Sequence, residues 1–235
     1  MLDTNHDLRT CEAEVQHPCE QLLTPLTRYR NRHPEAHFAI DNGAFSNFNR
    51  KAFLSLLARE YERREQCRFV AVPDVIDVID KIGSARRTLE VFEYLKDDLR
   101  HWPLALVAQD GLEDFTIPWD DIGAIFIGGS TDWKMSIHVR HIIKAAQAMD
   151  KWVHIGRVNT ADRFQYFKEI GADSVDGSGI SQYSWMRERL AVTPPPGLFT
   201  TFEEELSVNY AKYQSQIEAA QTRMRELKAL AQETI

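Results

Sequence analysis

The sequence has only three cysteines in 235 residues, Cys11, Cys19 and Cys67, and no two of them have the Cys-x-x-Cys spacing of a zinc or redox site. An odd number of scattered cysteines also predicts no disulfide framework and is typical of a reducing compartment. No run approaches the roughly 18 apolar residues of a membrane span. The first residues lack the apolar stretch of a signal peptide, so we expect a cytoplasmic protein with no membrane contact.

Excess positive charge is also missing. The chain carries 28 Lys and Arg against 35 Asp and Glu, a formal net charge of -7. No overall positive field attracts it to a polyanion, so any contact with nucleic acid must come from a local patch. With 43% hydrophobic residues, the chain can bury one substantial core, and we expect one α/β domain rather than two small ones.

Strand-like and helix-like segments alternate from residue 36 onward. Six strand-like runs are evident, at 37–41, 68–74, 104–109, 124–128, 152–156 and 174–176. Helix-like segments lie between them, at 50–65, 80–99, 133–149 and 160–170. This alternation predicts a parallel sheet with helical crossovers, arranged as a TIM-barrel-like (β/α) barrel. Because a closed barrel of this type has eight strands, we expect an incomplete or irregular one.

The chain divides into three predicted regions. Residues 1–35 form a polar leader with a short helix-like piece at 21–30, which we expect to be a surface cap or partly disordered. Residues 36–193 form the barrel catalytic domain. After the linker Pro194-Pro195-Pro196-Gly197, residues 198–235 form a C-terminal helical extension with an apolar residue every three or four positions. This long helix is expected either to pack on the barrel or to form a homodimer contact.

Polar or glycine residues stand at the ends of five strand-like runs. These ends are Asp41-Asn42-Gly43, Pro73-Asp74, Gln109-Asp110, Gly128-Gly129-Ser130 and Asp176-Gly177-Ser178-Gly179. Barrels of this class place their chemistry at the carboxyl ends of the strands, so we expect the five ends to meet in one site. An aspartate in such a place acts as a nucleophile, a general base or a metal ligand.

The ordered set of these segments resembles the tRNA-guanine transglycosylase superfamily, whose enzymes exchange guanine for a 7-deazaguanine base. The likeness covers about residues 38–180. Each single match is loose, and the order of the segments carries the specificity. The matching segments are Asp41-Asn42-Gly43-Ala44-Phe45-Ser46, Pro73-Asp74, Val107-Ala108-Gln109-Asp110-Gly111, Gly128-Gly129, His154-Ile155-Gly156-Arg157-Val158 and Asp173-Ser174-Val175-Asp176.

The resemblance implies a role for each matching position. Asp176 would be the nucleophile and Asp41 the general acid/base. The substrate-binding positions would be Asp74, Gln109, Gly128, Gly129, Phe45 and Asn42. Chemistry is consistent with these roles, because one carboxylate can accept from both the N1–H and the 2-amino group of guanine. An amide side chain can donate to O6 or N7, and backbone N–H groups at glycines can stabilise charge on the leaving purine.

Departures from the family pattern narrow the implied function. The family's tRNA enzymes carry a Cys-x-Cys-x-x-Cys and His zinc site, whereas no cysteine follows Cys67 here. The chain is similar to the zinc-free DNA-guanine transglycosylases of phages and bacterial DNA-modification clusters. This implies a transferase that places a preQ0-like base in DNA without metal or cofactor. A tRNA-acting relative, a non-catalytic purine- or nucleic-acid-binding barrel, and a phosphosugar enzyme using Gly128-Gly129-Ser130 are the alternatives.

An acidic protein needs local positive charge to hold DNA phosphates. Four basic residues just beyond strand ends form a predicted basic rim: Lys134, Arg157, Arg187 and Arg189. Solvated surface charge is the alternative for each of them. Other residues also have structural alternatives: a helix cap for Asp74, core packing for Phe45 and His154, and turn or loop positions for Asp110 and Asp173.

Overall fold

The computed structural model describes residues 2–3, 8–15, 17–26, 35–44, 48–77, 79–177, 179 and 183–191. The chain divides into two compact units, Met1–Thr193 and Pro194–Ile235. The predicted C-terminal helical extension at 198–235, with its homodimer contact, lies outside the described residues.

In the part of the chain that the structure describes, eight parallel strands form one sheet, and each strand pairs with the next along the chain. Within the described ranges β1 pairs with β2 and β8 with β7, but β1 and β8 do not pair with each other. The α/β barrel prediction is confirmed, including its incompleteness. The strands are β1 (Leu2–Asp3), β2 (Glu20–Leu23), β3 (Phe38–Ile40), β4 (Cys67–Ala71), β5 (Leu104–Ala108), β6 (Ala124–Ile127), β7 (Trp152–Ile155) and β8 (Ser174–Val175).

Helices connect most consecutive strands. They are α1 (Leu8–Val15), α2 (Arg50–Glu60), α3 (Lys81–Leu99), α4 (Thr131–Lys134), α5 (Ile137–Ala148), α6 (Ala161–Glu169) and α7 (Ser184–Ala191), with short 3-10 helices at Tyr61–Gln66, Leu112–Asp114 and Trp119–Asp121. Side chains cap several of them, since Asn49, Asp80, Ser130 and Thr160 each accept a backbone N–H of the first turn. Among the helices described here, none has the length and apolar character needed to cross a bilayer.

The core lies on both faces of the sheet. Alternate residues of a strand share one face, so pairs such as Ala105 and Val107 point the same way. One buried cluster of this kind contains Leu22, Ala39, Phe69, Ala71, Ala105, Val107, Ala124 and Phe126, with Trp152 packed against it. The intervening residues, including Val70, Leu106 and Ile125, are buried as well. Burial on both faces explains why β4 to β7 appear in the sequence as nearly continuous apolar runs.

Two of the eight strands lie in the leader, which we expected to be a cap outside the barrel. In β2, Leu22 and Leu23 are buried, and Leu23 pairs with Ile40 of β3. Glu20 accepts hydrogen bonds from the Arg68 guanidinium at 2.7 and 3.1 Å. The strand replaces the first part of the predicted helix-like piece at 21–30. The strand has only four residues, and its first residue is a glutamate in an ion pair. It therefore shows too little apolar periodicity to be recognised from the sequence.

Removing the Leu22 side chain should therefore destabilise the barrel. We expect Leu22→Ala to lower the free energy of unfolding by about 2–5 kcal/mol, because a buried cavity replaces core contacts. Leu26 lies in the same leader with 63% of its surface exposed, and Leu26→Ala should change stability by less than about 0.5 kcal/mol. Urea unfolding of both variants makes the comparison, and equal small losses would contradict a core role for β2.

Candidate functional site

A cavity of about 310 Å³ lies at the carboxyl ends of the strands. It brings together eight of the predicted site residues: Asp41, Asn42, Asp74, Gln109, Gly128, Gly129, Arg157 and Asp176. Its lining also contains residues that the sequence did not single out, among them Ile76, Asp77, Lys81, Ser84 and Phe126. Phe45, predicted to cover the base, lies outside the described residues.

Asp176 follows β8 and has a hydrogen-bond donor on each carboxylate oxygen. The backbone N–H of Arg157 donates to Oδ1 at 3.0 Å, and Nε2 of His154 lies 2.9 Å from Oδ2. Arg157 has a φ of 58°, in the left-handed region that side chains other than glycine rarely adopt. This turn is part of the geometry that brings the Arg157 N–H to the carboxylate. His154 was expected to be a satisfied core histidine, and its partner proves to be the predicted nucleophile.

Asp41 follows β3 and is partly buried beside other carboxylates. Burial raises its pKa to about 6, with the Asp176 charge acting in the same direction, while a hydrogen bond from the Gly43 N–H opposes the rise. A carboxyl with this pKa exchanges its proton close to neutral pH, as general acid–base catalysis requires. The structure thus provides two neighbouring carboxylates in different surroundings.

Asp74 is positioned by Asn42, which is buried at the end of β3. The Asn42 amide nitrogen donates to Oδ1 of Asp74 at 2.9 Å and to the Val72 carbonyl at 3.0 Å. Burial raises the pKa of Asp74, and the Asn42 hydrogen bond and the Arg157 charge act against that rise. The alternative of a helix cap does not apply, because Asp80 caps α3. Asn42 therefore acts on the site through Asp74.

Gln109 lines the cavity, but both hydrogens of its amide nitrogen are used inside the protein. One bonds to the Val75 carbonyl at 2.8 Å and the other to the Thr88 hydroxyl at 2.7 Å. Because a carbonyl only accepts, the nitrogen of the amide must face Val75. The expected donation from Gln109 to O6 or N7 of a purine is therefore not available in this arrangement. What the side chain retains for a ligand is its acceptor oxygen.

The turn after β6 has likewise no spare backbone donor. The N–H groups of Gly128 and Gly129 both point to the Ala108 carbonyl, at 2.7 and 3.4 Å, and the Ser130 N–H donates to Asp110 at 2.6 Å. A Cβ at residue 129 would lie 2.4 Å from the Trp133 ring, so packing explains that glycine. These glycines do not supply the expected N–H groups for a leaving purine or a phosphate.

Of the four residues of the predicted basic rim, two are buried and two are exposed. Lys134 is buried and donates to the Gly156 carbonyl at 2.6 Å; burial lowers its pKa to about 8, and the Arg157 charge adds to this. Arg187 is buried in an ion pair with Glu14 of α1. Arg189 is 64% exposed, 3.9 Å from Asp162. Arg157 lies at the cavity, where its guanidinium bonds the carbonyls of Gly128 and Gly129 at 3.0 and 2.9 Å.

The two remaining aspartates of the sequence motifs hold loops together. Asp110 accepts from Lys81 and Ser130 at 2.6 Å each; burial would raise its pKa, but these bonds lower it overall. Asp173 accepts the Val153 N–H at 2.8 Å. Across the described residues, no three His, Cys, Asp or Glu side chains are grouped so that they could hold a metal ion.

Comparisons with known proteins assign no family. No protein-family model and no curated protein matches the chain. Among solved structures, a citrate lyase from Burkholderia xenovorans LB400 is 12% identical over 90% of this chain and 82% of that one, with a TM-score of 0.42. The chain is also similar to a designed porous protein cage of fused oligomeric domains, with 13% identity over 99% of this chain and 83% of that one and a TM-score of 0.40. A third similar structure is a c-di-GMP-bound EAL protein from Vibrio cholerae O395, with 11% identity over 75% of this chain and 76% of that one and a TM-score of 0.32. Likenesses this distant support no functional assignment.

The surroundings of Asp41 predict a pH-dependent gain in stability when its charge is removed. We expect Asp41→Asn to raise the free energy of unfolding at pH 7 by on the order of 1–3 kcal/mol. The folded-state pKa of about 6 exceeds the ordinary 3.8, so wild-type stability falls as the pH rises from about 4 to about 6. Below about pH 4 the carboxyl is protonated in both states and the gain should vanish.

Urea unfolding of wild type and Asp41→Asn between about pH 4 and 7 tests this expectation. Asp132 of α4 is an exposed carboxylate, and Asp132→Asn is the matched control, with a change near zero at every pH. A stability difference between wild type and Asp41→Asn that does not vary with pH would contradict the raised pKa.

Proposed function

We propose that the chain is a base-exchange transglycosylase that replaces guanine in DNA by a 7-deazaguanine base such as preQ0. One observation supports this most strongly. Asp41, Asp74 and Asp176, to which the family resemblance gives acid–base, base-reading and nucleophilic roles, line a single cavity. They come from the ends of β3, β4 and β8, far apart in sequence, and the barrel topology brings them together.

In the first step a carboxylate oxygen of Asp176 attacks C1′ of the deoxyribose. The C1′–N9 bond breaks, its electron pair leaves with guanine, and an ester joins Asp176 to the sugar. The Asp41 carboxyl donates a proton to the departing base. Because the glycine N–H groups at 128 and 129 are occupied, neutralisation of the leaving purine depends on this proton.

In the second step the incoming 7-deazaguanine reverses the sequence. Its N9 attacks C1′, the ester bond breaks, and Asp176 recovers its carboxylate. The N9 proton passes to Asp41, which returns to its starting state. Atoms and charge balance without a metal or cofactor, and a carboxyl with a pKa of about 6 can serve as acid and then as base.

Asp74 reads the base in this proposal. Its carboxylate accepts from the N1–H and the 2-amino group of guanine, and the Gln109 oxygen adds a further acceptor. Adenine has no such donor pair, so binding it would give the partly buried carboxylate no donor from the ligand to add to the Asn42 bond. Acceptors on both sides favour bases that present several N–H groups.

A second candidate, exchange on free nucleosides, is favoured by the placement of the basic residues. A guanine in duplex DNA must be flipped out, at a cost of a few kcal/mol that phosphate contacts would have to offset. Lys134 and Arg187 are buried, and the cavity lining contains Asp77 and Asp110 together with Lys81. Of the predicted rim residues, Arg157 and Arg189 are exposed, and in the DNA proposal they would provide such contacts.

Exchange of radiolabelled guanine tests the reaction. We expect Asp176→Asn and Asp176→Ala to abolish incorporation and to lose the covalent DNA adduct in denaturing mass spectrometry, because neither side chain is a competent nucleophile. Asp132→Asn is the control and should behave as wild type. Wild-type exchange by either Asp176 variant would refute the assignment.

The same assay separates the substrates. Incorporation into single-stranded or duplex oligonucleotides that weakens with rising salt supports DNA, with a slope reflecting few phosphate contacts. Incorporation into deoxyguanosine alone supports exchange on free nucleosides. Incorporation into a tRNA transcript supports the tRNA-acting alternative. A protein that binds guanine in the cavity without exchanging it would be the non-catalytic barrel.

Base selection should depend on Asp74. We expect Asp74→Asn to weaken the preference for guanine over hypoxanthine, which lacks the 2-amino group, by roughly 1–3 kcal/mol. Asp77 is another carboxylate of the cavity lining, and Asp77→Asn is the matched control. Competition of the two bases in the exchange assay measures the preference. An unchanged ratio in Asp74→Asn would exclude the base-reading role.

A further inference from the structure

A chain of buried and partly buried hydrogen bonds runs from the start of β7 to the site. The Trp152 indole nitrogen lies 2.8 Å from the Ser174 hydroxyl, which lies 2.9 Å from Nδ1 of His154. Nε2 of His154 lies 2.9 Å from Oδ2 of Asp176. Strand register creates this order, because His154 and Ser174 are paired between β7 and β8. Trp152 and Asp176 are each two residues away from that pair, on the same face of the sheet.

The direction of every hydrogen in the chain follows from its two ends. The indole N–H of Trp152 only donates, so the Ser174 oxygen accepts from it. At the other end Nε2 of His154 faces a carboxylate, which accepts, and among the described residues the Ser174 hydroxyl has one other partner for its own hydrogen, Nδ1 of His154. Nδ1 then acts as an acceptor, and the ring proton sits on Nε2. His154 therefore donates to Asp176.

The surroundings of His154 keep the ring neutral and fixed. The side chain is fully buried, and its ring contacts the rings of Phe126 and Phe69 at centroid distances of 4.6 and 5.0 Å. Burial lowers the pKa of His154, with the Asp176 charge opposing and the Lys134 charge assisting. Close packing on two aromatic rings leaves little freedom for the imidazole to turn.

We infer that His154 is a positioning residue that holds the Asp176 carboxylate for attack, with Ser174 and Trp152 setting its tautomer. The inference rests on the proposed nucleophilic role of Asp176. The His154 N–H holds Oδ2 and the Arg157 N–H holds Oδ1, so the carboxylate plane cannot rotate freely. Hydrogen-bond partners that orient metal ligands change activity by roughly tenfold to hundredfold when removed, and we expect an effect of the same order for a residue that orients a nucleophile.

Nitrogen NMR of the full chain tests the hydrogen-bond chain without any substrate. In 15N-labelled protein, the His154 signals are identified by their loss in His154→Gln. We expect Nδ1 without a proton and Nε2 with one, unchanged from about pH 5.5 to 8. Asp176→Ala should shift the Nε2 signal, whereas Asp132→Asn should not. A proton on Nδ1 would overturn the inference, and so would ring nitrogen signals that do not shift in Asp176→Ala.

Kinetics of base exchange test the positioning role. We expect His154→Met, which keeps the volume and loses the donor, to lower kcat roughly tenfold to hundredfold with little change in KM. His154→Gln keeps an N–H donor and should retain more activity than His154→Met, which guards against a loss through misfolding alone. Equal kcat in wild type and His154→Met would overturn the positioning role. If wild type exchanges no base, the proposed function fails, and the NMR result alone decides whether His154 holds Asp176.

Discussion

Electrostatic repulsion between carboxylates in one cavity is the constraint around which this site is built. Asp41, Asp74 and Asp176 face the same space, and the charge of Asp176 contributes to the raised pKa of Asp41. A fold can tolerate such a group only by supplying N–H donors or by keeping a carboxyl protonated. Here it does both. Asn42 donates to Asp74, His154 and Arg157 donate to Asp176, and burial raises the pKa of Asp41 to about 6.

Other polar groups at the cavity are used to hold the loops around the carboxylates. The Val75 carbonyl accepts hydrogen bonds from Ser84 and Gln109, and the Val75 N–H donates to the Thr88 hydroxyl. These three bonds fix the loop after β4. The turn at Gly128 and Gly129 is held in the same way, by the Ala108 carbonyl and the Arg157 guanidinium. Residues that look like ligand-binding groups in a sequence are scaffold here, and the groups left for a ligand are mainly acceptors.

The alternation of strand-like and helix-like segments from residue 36 was sufficient to predict β3 to β8, because strands that are buried on both faces appear in the sequence as apolar runs. The position of carboxylates just after those runs also located the cavity. Burial of particular side chains could not be predicted in this way. Lys134 and Arg187 follow strand ends like Arg157, but each has a partner, the Gly156 carbonyl or Glu14, that only the fold brings near. The contact of His154 with Asp176 likewise depends on β7–β8 register, which the sequence alone does not specify.

The different roles proposed for Asp41 and Asp176 agree with the hydrogen-bond donors around each carboxylate. Asp176 accepts one N–H on each oxygen, and such bonds stabilise the ionised form that a nucleophile needs. The Asp41 side chain accepts the Gly43 N–H at 3.2 Å, and burial raises its pKa to about 6, so it can give and take a proton near neutral pH. Exchanging the roles would require a proton on a carboxyl group whose two oxygens each face an N–H group. The hydrogen-bond geometry therefore favours attack by Asp176 and proton transfer by Asp41 over the reverse assignment.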